Sequence, residues 1–320
     1  MNAYKDLLKS VVQHWGLTFN RMRDDLAIAG SPERCLMRFV VEDDKGNLYI
    51  LENVSSQNPA RKEEIAGTLS FLSQQGMAEI HPYLVHEGKR FVASHDNHFW
   101  MLRPYVGGTA LKRPEYAFDG WRGRAMAHFL RDLKEKYQGM KKDNQTVHLP
   151  ITSFISDLRM KIAQNNPELL PAVVPIIQAL EADFFAAHDR MPTGFCHGDF
   201  HPLNVIWSKD AILSVIDWEL SGYNPEIYDA ATLIGCLGMD DPEAMTGPFV
   251  QELLAGLAHV YDTKSFEYLL EFIISTRCAC LSEWLRNGDT DIITLEISYM
   301  GLLIEQAPTL KDAWTRFLSD

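Results

Sequence analysis

Two rhythms of apolar spacing divide this chain. Residues 3–15 carry apolar side chains at helical intervals and stop at Gly16, a residue suited to ending a helix. Short β-type runs follow. RCLMRFVVE and NLYILENV flank DDKG, a turn-forming tetrad, and so predict a hairpin. With a regular turn residues 37 and 52 pair, which puts Arg38 on the face opposite Glu52. Ile65, Leu69 and Leu72 predict a helix from about Arg61 to Gln75, closed by Gly76. YLVHEG and RFVASH predict two short strands around Gly-Lys, and HFWMLRPYV a third that runs into Gly107-Gly108.

Beyond Gly108 the spacing turns helical, near 118–138, 151–164, 167–189, 242–260, 264–287 and 290–306. Residues 195–217 interrupt it. FCHGDFHPLNVIWSKDAILSVID holds a polar loop, then two short β runs, NVIW and AILSVID, around SKD. Loops carried on a rigid scaffold are where chemistry concentrates. The pattern predicts a small β-rich N-terminal lobe over 1–106 and a larger, mostly helical C-terminal lobe over 107–320, hinged near 102–108.

A length of 320 residues exceeds what a single core usually serves, in agreement with two lobes. Asp and Glu outnumber Lys and Arg by 43 to 30, a net charge of −13 that argues against nucleic acid or an anionic membrane surface as a partner. No run of roughly 18 uncharged apolar residues predicts a membrane span. The opening MNAYKDLLKSVVQHWG is charged too early for a secretory signal. Five cysteines, an odd number without zinc-like spacing, point to a reducing, cytoplasmic setting. Cys278 and Cys280 lie about 200° apart on a helix, so they make poor co-ligands.

His197-Gly198-Asp199-Phe200-His201-Pro202-Leu203-Asn204 is the most informative stretch. Asp199 and Asn204 share one loop, and Asp217 follows in VIDWE, thirteen residues after Asn204 and past the hairpin. Phosphoryl transfer needs such a set: one carboxylate to orient the attacking hydroxyl and take its proton, and an amide oxygen plus a second carboxylate to hold metal ions. The kinase catalytic loop has the same spacing, with HGD here in place of HRD.

HGDFHPLN, VIDWE and PEIYDAATLI together resemble the aminoglycoside phosphotransferase and choline kinase-like family, strongly over about 195–237. The resemblance implies an α+β, two-lobed protein-kinase-like fold and magnesium-dependent phosphorylation of a small-molecule hydroxyl by ATP. It implies Asp199 as catalytic base, Asn204 and Asp217 as magnesium ligands, and His197 as a brace for the loop. Asp229 is either the family's loop-supporting carboxylate or the N-cap of the next helix. Glu219 is a substrate or metal-side contact or a solvated carboxylate. Gly30 and Ser31 stand where a phosphate-covering loop belongs, though a plain turn fits as well. The backbone around Arg103 and Tyr105 matches the adenine-binding hinge, and also a generic connector.

One departure stands out. Glu52 occupies the strand position where the family carries a phosphate-binding lysine, and a carboxylate repels phosphate. Arg61 and Lys62, opening the next helix, are the expected substitutes, with Arg38 second. Glu63 or Glu64 would have paired with the missing lysine. Glu52→Lys is expected to preserve or improve nucleotide affinity. Without a substitute cation the chain reads as a nucleotide-binding pseudokinase. On the acceptor side, residues 225–320 hold sixteen acidic and five basic residues, a field that would concentrate a cationic acceptor such as an aminoglycoside or amino-alcohol and that solvated helix faces also carry, so an amino sugar, an amino-alcohol, a neutral sugar and homoserine all stay open. His201, Arg277 and Trp284 are candidate acceptor contacts. Arg277 and Trp284, a heptad apart on one helix, serve equally as core packing.

Overall fold

The computed structural model describes residues 2–30, 35–55, 59–138, 151–181 and 183–319. The chain forms two compact units, one of Met1–Leu111, Lys136–Met140 and Leu203–Leu220, the other of Lys112–Glu135, Lys141–Pro202 and Ser221–Asp320. The 203–220 segment, expected in the C-terminal lobe, clusters with the first unit.

Unit 1 is built on a five-stranded antiparallel sheet in the order β1-β2-β3-β5-β4. Its strands are β1 (Phe19–Met22), β2 (Met37–Asp43), β3 (Leu48–Val54), β4 (Ala93–His95) and β5 (His98–Pro104). Side-chain alternation gives the sheet two apolar faces. Val41, Leu51, Trp100 and Leu102 pack with Leu8 and Val11 of helix α1 (Asn2–Val12). Val54 and Met101 pack with Ala66 of helix α2 (Pro59–Gln74).

The β2–β3 hairpin departs from the expected register. Arg38 pairs with Glu52 and Met37 with Asn53. The loop holds three residues, Asp44-Lys45-Gly46, closed by the Asp43 N–H to Asn47 O bond at 3.0 Å. Asp43 Oδ1 accepts from the N–H groups of Lys45 and Asn47 at 2.9 and 2.7 Å, and Gly46 supplies the left-handed φ of 82°. A three-residue loop instead of two shifts the register by one. That shift brings Arg38 to the same face as Glu52.

Residues 83–88 do not form the expected strand. Asp96 and Asn97 take φ values of 48° and 63°, the conformation of a two-residue hairpin turn, and this turn pairs β4 with β5. The 83–88 run keeps one sheet bond, Leu84 N–H to Leu102 O at 2.7 Å. The hairpin β7 (Val205–Trp207) and β8 (Ile212–Val215) forms as expected and attaches to unit 1 through Val215 N–H to Glu79 O, 3.0 Å, and Thr109 N–H to Trp207 O, 2.8 Å.

Unit 2 holds helices α3 (Gly120–Tyr137, its last residues in unit 1), α4 (Ile151–Asn165), α5 (Leu170–Glu181), α6 (Phe184–His188), α7 (Tyr228–Asp240), α8 (Pro248–Leu257), α9 (Thr263–Glu267), α10 (Leu269–Asn287), α11 (Thr290–Glu305) and α12 (Ala307–Phe317). Strands β6 (Thr193–Cys196) and β9 (Gly222–Pro225) pair antiparallel. Three expected helices are broken: 167–189 into α5 and α6, 242–260 into a short turn and α8, and 264–287 into α9 and α10. Helix α12 adds to the expected set, and α7 is the helix that the N-cap reading of Asp229 implied but helical spacing did not mark. Most of α7 is buried, so its sequence lacks the one-sided period that marks a surface helix. No described helix is long and apolar enough to cross a membrane.

Helices α3 and α8 approach closely at Gly123, where a Cβ would lie 2.0 Å from the carbonyl oxygen of Phe249. The obstacle is backbone, which cannot rotate away. Gly123→Ala is therefore expected to destabilise the chain by about 1–3 kcal/mol, read as a lowered urea midpoint with an unchanged slope.

Candidate active site

The loop carrying Asp199 leaves strand β6 in unit 2. Gly198 turns it with a φ of 84°. The buried carboxylate of Asp229, in the first turn of α7, clamps this turn: Oδ2 accepts from the His197 N–H at 2.7 Å and Oδ1 from the Gly198 N–H at 2.9 Å. The cap position of α7 is Ile227, so Asp229 serves the loop and not the helix end. The fully buried His197 ring accepts the Asp199 N–H at Nδ1, 3.2 Å away, which leaves the ring proton of the neutral form on Nε2. Phe200 stacks on Phe129 of α3 with ring centroids 5.3 Å apart. Asp199 is thus pinned by both neighbours. Its Oδ1 lies 3.5 Å from His201 Nε2.

Burial pushes the Asp229 carboxyl up to about 7. The two N–H donors oppose that shift, and the charge of Asp199 adds to it.

Asn204 and Asp217 belong to unit 1. Val205 pairs with Val215, and Ile216 N–H reaches Asn204 O at 2.9 Å, so both residues emerge at the same end of the β7–β8 hairpin. Asp217 takes a φ of 67°, a sparsely populated conformation for a non-glycine residue. Gly30, at φ 89°, lies against it: a Cβ there would sit 3.2 Å from Asp217 Oδ2 and 3.1 Å from Ile216 Cδ1. Ser31 lies outside the described residues. The amide oxygen of Asn204 and the carboxylate of Asp217 are the donor types a hard cation such as magnesium takes.

Asp217 also lines a cavity within unit 1, with Arg38, Glu52, Lys62, Tyr83, Arg103 and Glu219. Glu52 is buried there but not isolated. It accepts from Tyr83 Oη at 2.8 Å and Arg103 Nε at 3.2 Å. Burial acts to raise its pKa, yet the Arg103 charge and the Tyr83 hydroxyl hold it below the ordinary carboxylate value. Lys62 Nζ donates to Glu219 Oε1 at 2.5 Å. Arg61 pairs with Glu64 on its own helix at 3.0 Å and is not among the cavity-lining residues. Glu63 accepts from the N–H groups of Phe91 and Val92 at 3.0 and 2.9 Å. Arg38 donates to Ala29 O and Gly30 O at 3.2 and 3.1 Å, strapping that segment to β2. Tyr105 ties to Ala27 O through its hydroxyl, 3.0 Å, and to Leu48 O through its N–H, 3.0 Å.

Sequence reasoning gave Arg103 a backbone role. Its side chain instead neutralises Glu52, with Tyr83, which no motif marks. This geometry alters the expectation for Glu52→Lys: an ammonium there would face Arg103.

On the acceptor side, Arg277 is buried and gripped by Glu296 through Nε and Nη2 at 2.5 and 2.6 Å. Its charge is committed between α10 and α11, which is the packing role and not a contact open to an acceptor. Trp284 is half-buried, with Nε1 enclosed and without a partner among the described residues.

The sequence profile of the phosphotransferase enzyme family (APH) matches residues 37–267. No curated protein sequence matches the chain. Similar solved structures include an aminoglycoside phosphotransferase from Alicyclobacillus acidocaldarius, 13% identical over 96% of this chain and 95% of that one, with a TM-score of 0.67. An amicoumacin kinase in complex with AMP-PNP, calcium and amicoumacin is 14% identical over 96% and 92%, TM-score 0.67. Choline kinase LicA from Streptococcus pneumoniae is 15% identical over 96% and 99%, TM-score 0.59. These likenesses show a two-lobed protein-kinase-like fold.

The Asp229 clamp has a measurable pH signature. A carboxyl whose folded pKa is about 7 against an ordinary 3.8 holds its proton more tightly in the native state. Its contribution to stability is full below the ordinary value and is lost as pH rises through the folded one. Asp229→Asn should remove this component, flattening the stability profile between about pH 4 and 7, while its single amide oxygen leaves one of the two loop N–H groups without its side-chain acceptor. Chemical unfolding of both proteins across that range is the measurement.

Proposed function

Because the chain belongs to the phosphotransferase enzyme family, we propose that it moves the γ-phosphoryl group of ATP to a hydroxyl of a small molecule. The observation that carries this reading is the anchored loop from His197 to Asn204. The Asp229 clamp and the Phe200–Phe129 stack fix the Asp199 side, and the β7–β8 ladder fixes Asn204 beside Asp217.

In the proposed reaction the acceptor hydroxyl hydrogen-bonds to the Asp199 carboxylate, which aims an oxygen lone pair at the γ-phosphorus. As the new O–P bond forms, the hydroxyl proton passes to Asp199 and the bond from the γ-phosphorus to the β,γ-bridging oxygen breaks, releasing ADP. The Asp199 N–H is held by His197, so the carboxylate enters the reaction with its backbone already fixed, which limits the reorganisation the step requires. Asn204 and Asp217 would hold magnesium, which when bound supplies charge neutralisation at the phosphate oxygens. The acidic excess of residues 225–320 supports a cationic acceptor, an amino sugar or amino-alcohol, over a neutral sugar or homoserine.

Glu52 supports a second reading, a nucleotide-binding module without turnover. ATP consumption with magnesium over a panel of hydroxylated amines and sugars separates the two. Asp199→Asn should lower turnover by about 10²–10⁴ with Mg-ATP affinity retained in calorimetry. Full activity in that variant would remove Asp199 as the base. Asp217→Ala should lose Mg-ATP binding, and unchanged affinity would make the hairpin end purely structural.

A further inference from the structure

We infer that His14, His86 and His95 form a proton-sensitive latch that seats helix α1 on the sheet of unit 1 and loosens as pH falls. The inference does not depend on the nucleotide reading. It concerns the face of the sheet that packs on α1, and the alternation of β3 puts Glu52 on the other face.

Helix α1 closes in a single short turn, Gln13–Trp15, which ends at Gly16 with a φ of 67°. That turn delivers His14 onto two other segments. His14 Nε2 lies 3.2 Å from Nδ1 of His95 on β4, and the two rings meet edge to face with centroids 5.3 Å apart. His86, in the run 83–88, stands edge-on to His14 and to Trp15, at 6.4 and 6.2 Å. Three imidazoles from three segments thus gather beside the buried Trp15, whose indole N–H donates to Leu84 O at 2.9 Å. The Glu87 N–H donates to His14 O at 3.0 Å.

The hydrogen bonds leave little room for added protons. The Ser10 hydroxyl lies 2.9 Å from Leu7 O and 3.1 Å from Asp6 O, so its one hydrogen turns back onto the helix. It therefore accepts from His95 Nε2, 3.3 Å away. That leaves His95 Nδ1 as an acceptor, and His14 donates to it from Nε2. His86 Nδ1 in turn accepts the Gly88 N–H at 2.9 Å. Two of these bonds end on a bare ring nitrogen. A proton on either one would set N–H against N–H.

Charge acts in the same direction. Burial lowers the pKa of His14 below the ordinary 6.5, and the charges of His95 and His86 lower it further. Glu87 opposes them. Asp96 Oδ2 lies 3.5 Å from His95 Nε2, but that carboxylate is 82% exposed and water screens it. His98, the cross-strand partner of His95, is exposed as well. A histidine whose folded pKa is depressed stabilises the fold fully above its ordinary value. That contribution is lost as pH falls through the folded one. The seat of α1 is what loosens, because Ser10 and His14 tie the helix and its closing turn to β4.

Hydrogen exchange on the full chain between pH 7.5 and 5.5 tests this, read as protection factors of the α1 amides after correction for intrinsic exchange. In the unmodified chain protection should fall by up to about tenfold per pH unit below 6.5, the limit for one proton. In His14→Gln, which can meet His95 with its N–H or its oxygen but does not titrate, the fall should shrink to within about threefold over the whole range. His128→Gln, a substitution at an exposed histidine of α3, should leave the profile of the unmodified chain intact. If the unmodified chain shows no fall, or His14→Gln keeps it whole, the inference fails. A loss of protection at every pH in His14→Gln, with the acid step retained, makes His14 a packing residue only and overturns it too. Should His14→Gln fail to fold, His95→Gln decides in the same way, with a flattened profile expected and a retained step fatal.

Discussion

A buried carboxylate survives only where donors meet it, and Asp229 meets two, the backbone N–H groups of His197 and Gly198. The rest of the catalytic segment hangs from that exchange. The clamp holds the Gly198 turn, the turn sets the His197 ring, and the ring accepts the Asp199 N–H. Phe200 then buries itself on Phe129, which converts a polar loop into a packed one. The cost appears at Asp229, whose proton affinity rises because burial outweighs two hydrogen bonds. The loop is rigid because a helix beyond it contributes a carboxylate from its own first turn.

Unit 1 solves a related problem with opposite sign. Glu52 occupies the strand position that faces the cavity, and its charge is balanced by Arg103 from the adjacent strand and by the Tyr83 hydroxyl. The balancing arginine is reachable because residues 50 and 103 pair across β3 and β5, which puts Glu52 and Arg103 on one face. A lysine placed at position 52 would meet that same arginine. The three side chains form one unit, and any one of them is intelligible only with the other two.

The catalytic segment was legible from sequence because its signals are local. HGDFHPLN and VIDWE have fixed spacing, and the hairpin between them follows from its β runs and SKD turn. Asp229 was narrowed to two roles, and only the geometry of α7 separates them, since cap and clamp place the same residue at the same point in the sequence. The rest was lost for physical reasons. One additional loop residue, at Asp44-Lys45-Gly46, inverts the facing of a whole strand, so Arg38 was set on the wrong side of Glu52. The run 83–88 has strand composition, but Asp96-Asn97 decided which segment the edge of β5 accepts. The partnership of Tyr83 and Arg103 with Glu52 joins residues 31 and 51 positions away, a distance at which no periodicity speaks.

The composition of unit 1 also bears on how the chain is made. Residues 203–220 supply its β7–β8 hairpin, and Gly108 is pressed so closely onto that hairpin that a Cβ would lie 2.5 Å from Ile206 Cγ2 and 2.8 Å from Trp207 O. On a ribosome, everything from 112 to 202 must emerge before those partners exist. At typical elongation rates that interval is on the order of ten seconds, during which the five-stranded sheet waits with the outlets for Glu79 and Thr109 unfilled. Vectorial synthesis therefore cannot finish the first unit first: its completion and the birth of the metal-candidate hairpin are the same event.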